Sequence, residues 1–546
     1  MESVSADGFF LFCRNTCNFR RTPRDLSARG FIGGCILGRG RLNVFEFLAV
    51  GFQVALQPEN LLAVTIGVLV GMSVGVLPGL GPAATIAILL PLTYAMEPTS
   101  AIIMLAGIYY GSMYGGTVTS VLLRLPGEAA AVVTIFDGYP MAQQGRAGAA
   151  LGIAAIGSAI GGMLSVVGLI FFAPPLAQAA LAFGPPEFTV LAVMGLLLVT
   201  YLGTTSPLRS LVVACAGLLF ATVGLDLISG ATRFDFGSTA MLGGLDFVAI
   251  VMGIFGIGEI LYNLEKSETG NVIKRRVGKV WPTRADWKLS RGPILRGSGL
   301  GFFLGALPGG GGMISSMASY AIEKRRAKDP TRFGKGAIEG VAGPETANNA
   351  GSTSAFIPML VLGIPPNAVL ALVFGALLVQ GVVPGPQLVN EHPDIFWGVV
   401  ASMVVGNLIL LALNIPLIGV FVQLLRVRMS LLAGVIMVVA LIGVYTINNS
   451  IFDMWVMVAF GLIGYLMRKL NFDAGPLVLA LILGPLVERS FRQSLLMSGG
   501  EPTIFLTRPL SGGIIAFVVV VALVTSYARR RSRRRSLQPD GVPSKT

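Results

Sequence analysis

The chain has 546 residues, of which 54% are hydrophobic and 12% charged, against roughly 25% charged in a soluble globular domain. That excludes a soluble enzyme, and apolar runs recurring near the ~20 residues needed to cross ~30 Å of hydrocarbon predict an all-α polytopic membrane protein. The net charge of +13 does not point to nucleic acid: 29 of the 40 Lys and Arg fall in four blocks, each abutting an apolar span, the pattern of cytoplasmic loops against anionic lipid.

Residues 1–42 form a basic N-terminal extension, expected to be disordered. They lack the sustained apolar stretch and cleavage site of a secretory signal. Cys13, Cys17, Cys35 and Cys215 read as isolated thiols, and with His392 as the sole histidine no metal site or cofactor is expected. Residues 43–265 form a first membrane repeat, opening with a short first helix or an interfacial one over 43–58 and a hairpin, Leu61 to Met96, broken at LPGLGP. Crossings are predicted over 99–123, 147–180, 188–203, 208–228 and 246–263. A basic cytoplasmic linker over 266–295 leads to a second repeat, 296–490. Its hairpin breaks at LPGGGG, and crossings follow over 341–380, 396–424, 431–447, 452–467 and 475–487. A loop and final transmembrane helix occupy 491–528, and 529–546 is a basic cytoplasmic tail.

The repeat rests on a constant offset of 230. Gly67, Gly71, Gly75, Gly79 and Gly81 match Gly297, Gly301, Gly305, Gly309 and Gly311, and Leu77-Pro78 matches Leu307-Pro308. Further on, Arg124-Leu-Pro-Gly-Glu128 has a counterpart in Gly363-Ile-Pro-Pro-Asn367. Basic blocks flank both ends of the second hairpin, whereas the first is flanked by Glu59 and Glu97. The hairpins therefore open to opposite sides, and an odd number of crossings per half makes the repeats inverted, with both termini cytoplasmic.

A break at membrane depth frees backbone groups that lipid cannot satisfy, so it belongs where protein or a water-filled cavity takes them up. The limb after each tip starts with free N–H groups and the positive end of a helix dipole, a setting for carboxylates. Gly79, Gly81 and Thr85 mark this place in one half; Gly309, Gly311 and Ser315 mark it in the other. A paired polar tract precedes each broken Pro segment. One carries Thr117, Thr119 and Ser120, the other Asn348, Asn349, Ser352 and Thr353. Small hydroxyls and amides beside unwound backbone can orient a carboxylate or hold a dehydrated cation. Glu345 is the nearby acidic group and the candidate cation ligand or proton carrier.

The stretches GVLPGLGPAATIAILLPLTY, RLPGEAA followed by DGYPMA, and GALPGGGG with GPETANNAGS resemble the large, TctA-like membrane subunit of the tripartite tricarboxylate transporter family, over roughly Val44 to Tyr527. The resemblance implies a bacterial inner-membrane permease working with a small membrane subunit and a periplasmic solute-binding protein. Such a permease moves carboxylates such as citrate with a Na⁺ or H⁺ gradient. Departures are the N-terminal extension and Pro366, where a glycine commonly follows the first proline. An intramembrane zinc or serine protease is excluded by the single histidine in a predicted loop. A passive anion channel is the alternative.

Overall fold

The computed structural model describes residues 44–77, 80–202, 205–226, 228–265, 280–307, 309, 311–424, 429–516 and 519–520. Gly79, the extension over 1–42, the linker as far as residue 279, the end of the final helix and the basic tail lie outside the described residues. The first half contains α1 (Val44–Ala55), α2 (Pro58–Val76), α3 (Pro82–Thr93), α4 (Pro98–Leu123), α5 (Ile135–Gln143), α6 (Ala147–Ala180), α7 (Pro185–Leu202), α8 (Pro207–Ala221) and α9 (Phe247–Glu265). The second contains α10 (Arg284–Gly305), α11 (Gly311–Arg326), α12 (Glu339–Ser354), α13 (Phe356–Leu362), α14 (Ala368–Val379), α15 (Pro393–Leu424), α16 (Met429–Asn448), α17 (Ile451–Lys469) and α18 (Gly475–Met497). Six of the described helices are long and apolar enough to cross a membrane, and the architecture is all-α apart from one two-residue hairpin.

Helix starts follow local chemistry. Proline stands in the first turn of α2, α3, α4 and α8, where its missing N–H has no intrahelical acceptor to lose. Three boundaries differ from expectation, one of them the crossing expected over 475–487, which continues to Met497 as α18. The segment predicted to cross over 208–228 stops at Ala221, because Gly224 (φ +109°) turns the chain into a strand pair, Gly224–Leu225 with Thr232–Arg233. Asp226 pins that turn through the Ile228 amide and the Ser229 hydroxyl. In the second half α10 starts inside the expected linker. Thr283 and Asp286 form a reciprocal capping box there.

The same helix pair is built in both halves. In α2, a Cβ on Gly67, Gly71 or Gly75 would overlap the carbonyls of Met104, Ile108 and Ser112 on α4. In α10, a Cβ on Gly297, Gly301 or Gly305 would overlap those of Gly343, Ala347 and Gly351 on α12. These partners are related by a second constant offset, 239, which also carries Arg124 onto Gly363. Both of those residues close their helices in the left-handed region, at φ 60° and 72°. Glu128 and Asn367, four residues on, share one extended conformation (φ/ψ −147°/163° and −152°/169°). The α4 helix is buried all round.

Ion pairs sort by side. Arg146–Asp286, Arg296–Glu323, Arg332–Glu339, Arg468–Glu259 and Lys469–Glu265 join segments that charge assigns to the cytoplasmic side. Asp226 with Arg233 and Arg492, Glu488 with those same two arginines, and Glu187 with Arg508 join segments assigned to the outer side.

Candidate functional site

Helix α12 is polar yet wholly enclosed: Glu345, Asn348, Asn349, Ser352 and Thr353 are each at most 3% exposed. Helical spacing puts Glu345, Asn348 or Asn349, and Ser352 along one side of the helix, while the two adjacent amides diverge by ~100°. Nearly every partner comes from the other half. One Glu345 oxygen accepts from Thr117 Oγ1 at 2.7 Å, and the other accepts from the Thr134 hydroxyl. Asn349 Nδ2 donates to Ser158 Oγ at 2.7 Å and to the Glu345 carbonyl at 3.2 Å. Asn348 Nδ2 donates instead to Glu128 Oε1, at 3.0 Å.

A second cross-half bond mirrors the last one. Asn367 Nδ2 donates to the Tyr109 hydroxyl at 3.2 Å, and the offset of 239 carries Tyr109 onto Asn348 and Glu128 onto Asn367. The two contacts are therefore pseudo-symmetric equivalents, one formed by a carboxylate and an amide, the other by an amide and a phenol.

The second hairpin tip closes over this cluster. Gly309 and Gly311 have φ +77° and +74°, a region open to glycine and costly to residues with a Cβ. The Gly309 N–H donates to the Pro366 carbonyl at 3.0 Å, so one break satisfies the backbone of the other. The first turn of α11 lies on α12: a Cβ on Gly312 would overlap Asn348 Oδ1 and stand 3.0 Å from Ser352 Oγ. Ser316 Oγ donates to the carbonyl of Ala130, two residues past Glu128. Asn348 Oδ1 is buried without a donor, and Ser352 Oγ has the Tyr109 hydroxyl beside it but no well-aligned bond.

The structure thus brings Thr117, Glu345, Asn348, Asn349, Ser352, Gly309 and Gly311 together, with Thr353 buried next to them. Other expected residues are spent locally. Thr85 and Ser315 bond carbonyls of Gly81 and Gly311 in their own helices. Thr119 bonds the Gly116 carbonyl and Ser120 the Ala131 carbonyl. Gly81 faces open space, and α3 packs on α9, α14 and α16 rather than on α12. Glu128, Tyr109, Thr134, Ser158 and Asn367 were not foreseen as site residues. Carrying the offset of the two break motifs back into the preceding helices would have paired Glu128 with Asn367 and Tyr109 with Asn348.

Residues 61–479 match the model of the tripartite tricarboxylate transporter TctA family. A 52.8 kDa protein of Agrobacterium vitis, described as uncharacterized and encoded in the TAR-I ttuC' 3' region, is 45% identical over 90% of this chain and 99% of its own length. A second uncharacterized protein from that organism, in the TAR-II ttuC' 3' region, is 44% identical over 43% of this chain and 97% of its own. No solved structure matches. With most of its length matched by the family model and nine-tenths by a close relative, the chain belongs to the TctA family, the large membrane subunit of the tripartite tricarboxylate transporters.

Proposed function

We propose that the protein is the permease subunit of a secondary active transporter that imports small carboxylates, tricarboxylates such as citrate among them, across the bacterial inner membrane. It uses a Na⁺ or H⁺ gradient and takes its solute from a periplasmic binding protein, with a small membrane subunit as second partner. The repeats are inverted, both termini are cytoplasmic, and the solute site lies where the tips meet the polar tracts.

One observation carries this reading. The first turn of α11 and the Ser352 hydroxyl converge in a buried cluster built from both halves, beside the Asn348 amide. A carboxylate leaving water needs donors, and free N–H groups at a helix N-terminus, with hydroxyls and amides, supply them where no Lys or Arg reaches. Gly79, Gly81, Thr85, Thr119, Ser120 and Ser315 are retained as a first-half and supporting set, and Glu345 as an anchor of the cluster.

The test is uptake of labelled citrate into vesicles holding the complete system under an imposed cation gradient. Accumulation above the external concentration, lost in Asn349→Ala and Ser352→Ala, is expected. Equilibration without accumulation would make the protein a passive anion channel, and accumulation by this chain alone would remove the need for a binding protein.

A further inference from the structure

We propose that Glu128 and Asn348 together hold a monovalent alkali cation, sodium in the first instance, directly beside the solute site. The inference rests on the reading of the polar cluster as that site. Glu128 is partly accessible, and its side-chain partner is a neutral amide, Asn348 Nδ2. No described ion pair includes it, and Arg124, the nearest cation in sequence, stacks on the Tyr139 ring 5.8 Å away. The Ala130 and Ala131 N–H groups also face the Glu128 carboxylate, whereas both Glu345 oxygens accept hydroxyl hydrogens.

Symmetry sharpens the contrast. The equivalent of Glu128 in the second half is Asn367, so the duplicated break carries one negative charge, not two. A carboxylate solute arriving beside Glu128 meets a like charge in a poorly solvated place, where repulsion is strong. Before solute arrives, one positive charge suffices to neutralise the single carboxylate of the break.

A proton would also cancel the charge, and with the Asn348 amide turned over the Glu128 O–H would donate to Oδ1, so the comparison of sodium with pH below separates the two. Asn348 turns its Nδ2 to Glu128 and its buried, donorless Oδ1 to the first turn of α11, where Ser352 Oγ also lies. A carboxylate oxygen, an amide oxygen and a hydroxyl are hard donors suited to an alkali or alkaline-earth cation. A bound ion supplies the partner that Oδ1 lacks.

The experiment uses the full chain purified in detergent, without solute. The unfolding midpoint is followed as NaCl replaces choline chloride at constant ionic strength, since a ligand that binds only the folded state raises it. Sodium should raise the midpoint of the parent, Glu128→Gln should abolish the response, and Ser352→Ala should raise the half-saturating sodium concentration several-fold. Asn348→Ala probes the same site without a charge change should Glu128→Gln fold poorly, and should also lose the response. A parent that responds to pH but not to sodium over choline, or variants that respond as the parent does, overturns the proposal. Because no solute is present, failure of the carboxylate reading leaves this result standing, and the converse also holds.

Discussion

The close approach of α10 to α12 can be tested with two glycines on one helix. Gly299 has no atom within 4 Å of where a Cβ would stand, whereas a Cβ on Gly301 would lie 2.8 Å from Ala350 Cβ and 2.9 Å from Ala347 Cα. Carbon atoms rest about 3.5–4.0 Å apart, so Gly301→Ala requires α10 to retreat by about 0.7–1 Å along its contact with α12. Overpacking of this kind costs ~1–3 kcal/mol, partly offset by the ~1 kcal/mol by which alanine is the better helix former. Gly299→Ala keeps the gain without the cost. The two variants should straddle the parent in thermal unfolding in detergent, Gly299→Ala at or above it and Gly301→Ala below, separated by about 1–3 kcal/mol. Gly71→Ala, whose Cβ would stand 2.9 Å from Ile108 Cα, should behave like Gly301→Ala if the first half is packed in the same way. Equal stability of the 299 and 301 variants at matched expression would refute the close contact and, with it, the pairing on which the repeat equivalence rests.

Gly309→Val should abolish uptake while leaving membrane insertion intact, because a branched side chain at φ +77° strains the tip that bonds Pro366; normal uptake would return the tip to a packing role. A cysteine at Lys328 should be shielded from an impermeant maleimide in intact cells, and one at Glu391 should label, since the basic block over 324–335 is assigned to the cytoplasm; labelling at 328 would overturn the inverted scheme. The Asp226 carboxyl is held below its ordinary value of 3.8, first by the Ser229 hydroxyl and the Ile228 amide and further by Arg492 and Arg233, with desolvation opposing them. Its ionised form therefore adds stability above about pH 4 that is lost as the pH falls through the depressed value. Asp226→Asn should lower the unfolding midpoint more at pH 7 than at pH 3, and an equal loss at both would show that charge is not what holds the turn.

Much of the fold was legible because its signals are local. Glycines every four residues mark the faces of α2 and α10 that meet carbonyls of α4 and α12, and the Leu-Pro-Gly breaks mark where helices cannot continue. The polar tract of α12 stood out for the same reason, since amides and hydroxyls in apolar surroundings must find partners. Its partners were less legible. Thr134 and Ser158 lie 211 and 191 residues from Glu345 and Asn349, and no local pattern distinguishes them from threonines and serines that bond their own helix, as Thr119 and Ser315 do. The end of α8 was misplaced because apolar Leu225 and Ile228 extend the hydropathy of the span past Gly224, where backbone conformation has already ended the helix. The π turn at Met252–Ile257 within α9 has no marker in composition.

The cross-half bonds limit how the molecule can change shape. Thr117 and Thr134 with Glu345, Ser158 with Asn349, Glu128 with Asn348, and Ser316 with the Ala130 carbonyl tie α4, the segment after its break and α6 to α11 and α12. Each is buried or nearly so, and leaving a buried partner unmade costs ~1–3 kcal/mol. A motion that separated the halves through this cluster would forfeit most of them together. Helices α7, α8 and α18 meet one another through a different set of contacts: Gly217 of α8 approaches the Leu477 carbonyl of α18, and Gly484 of α18 approaches the Ala221 side chain. On the proposed transport reading, a change between inward- and outward-facing states has least to break if the paired tracts and the second hairpin tip travel as one body against those outer helices.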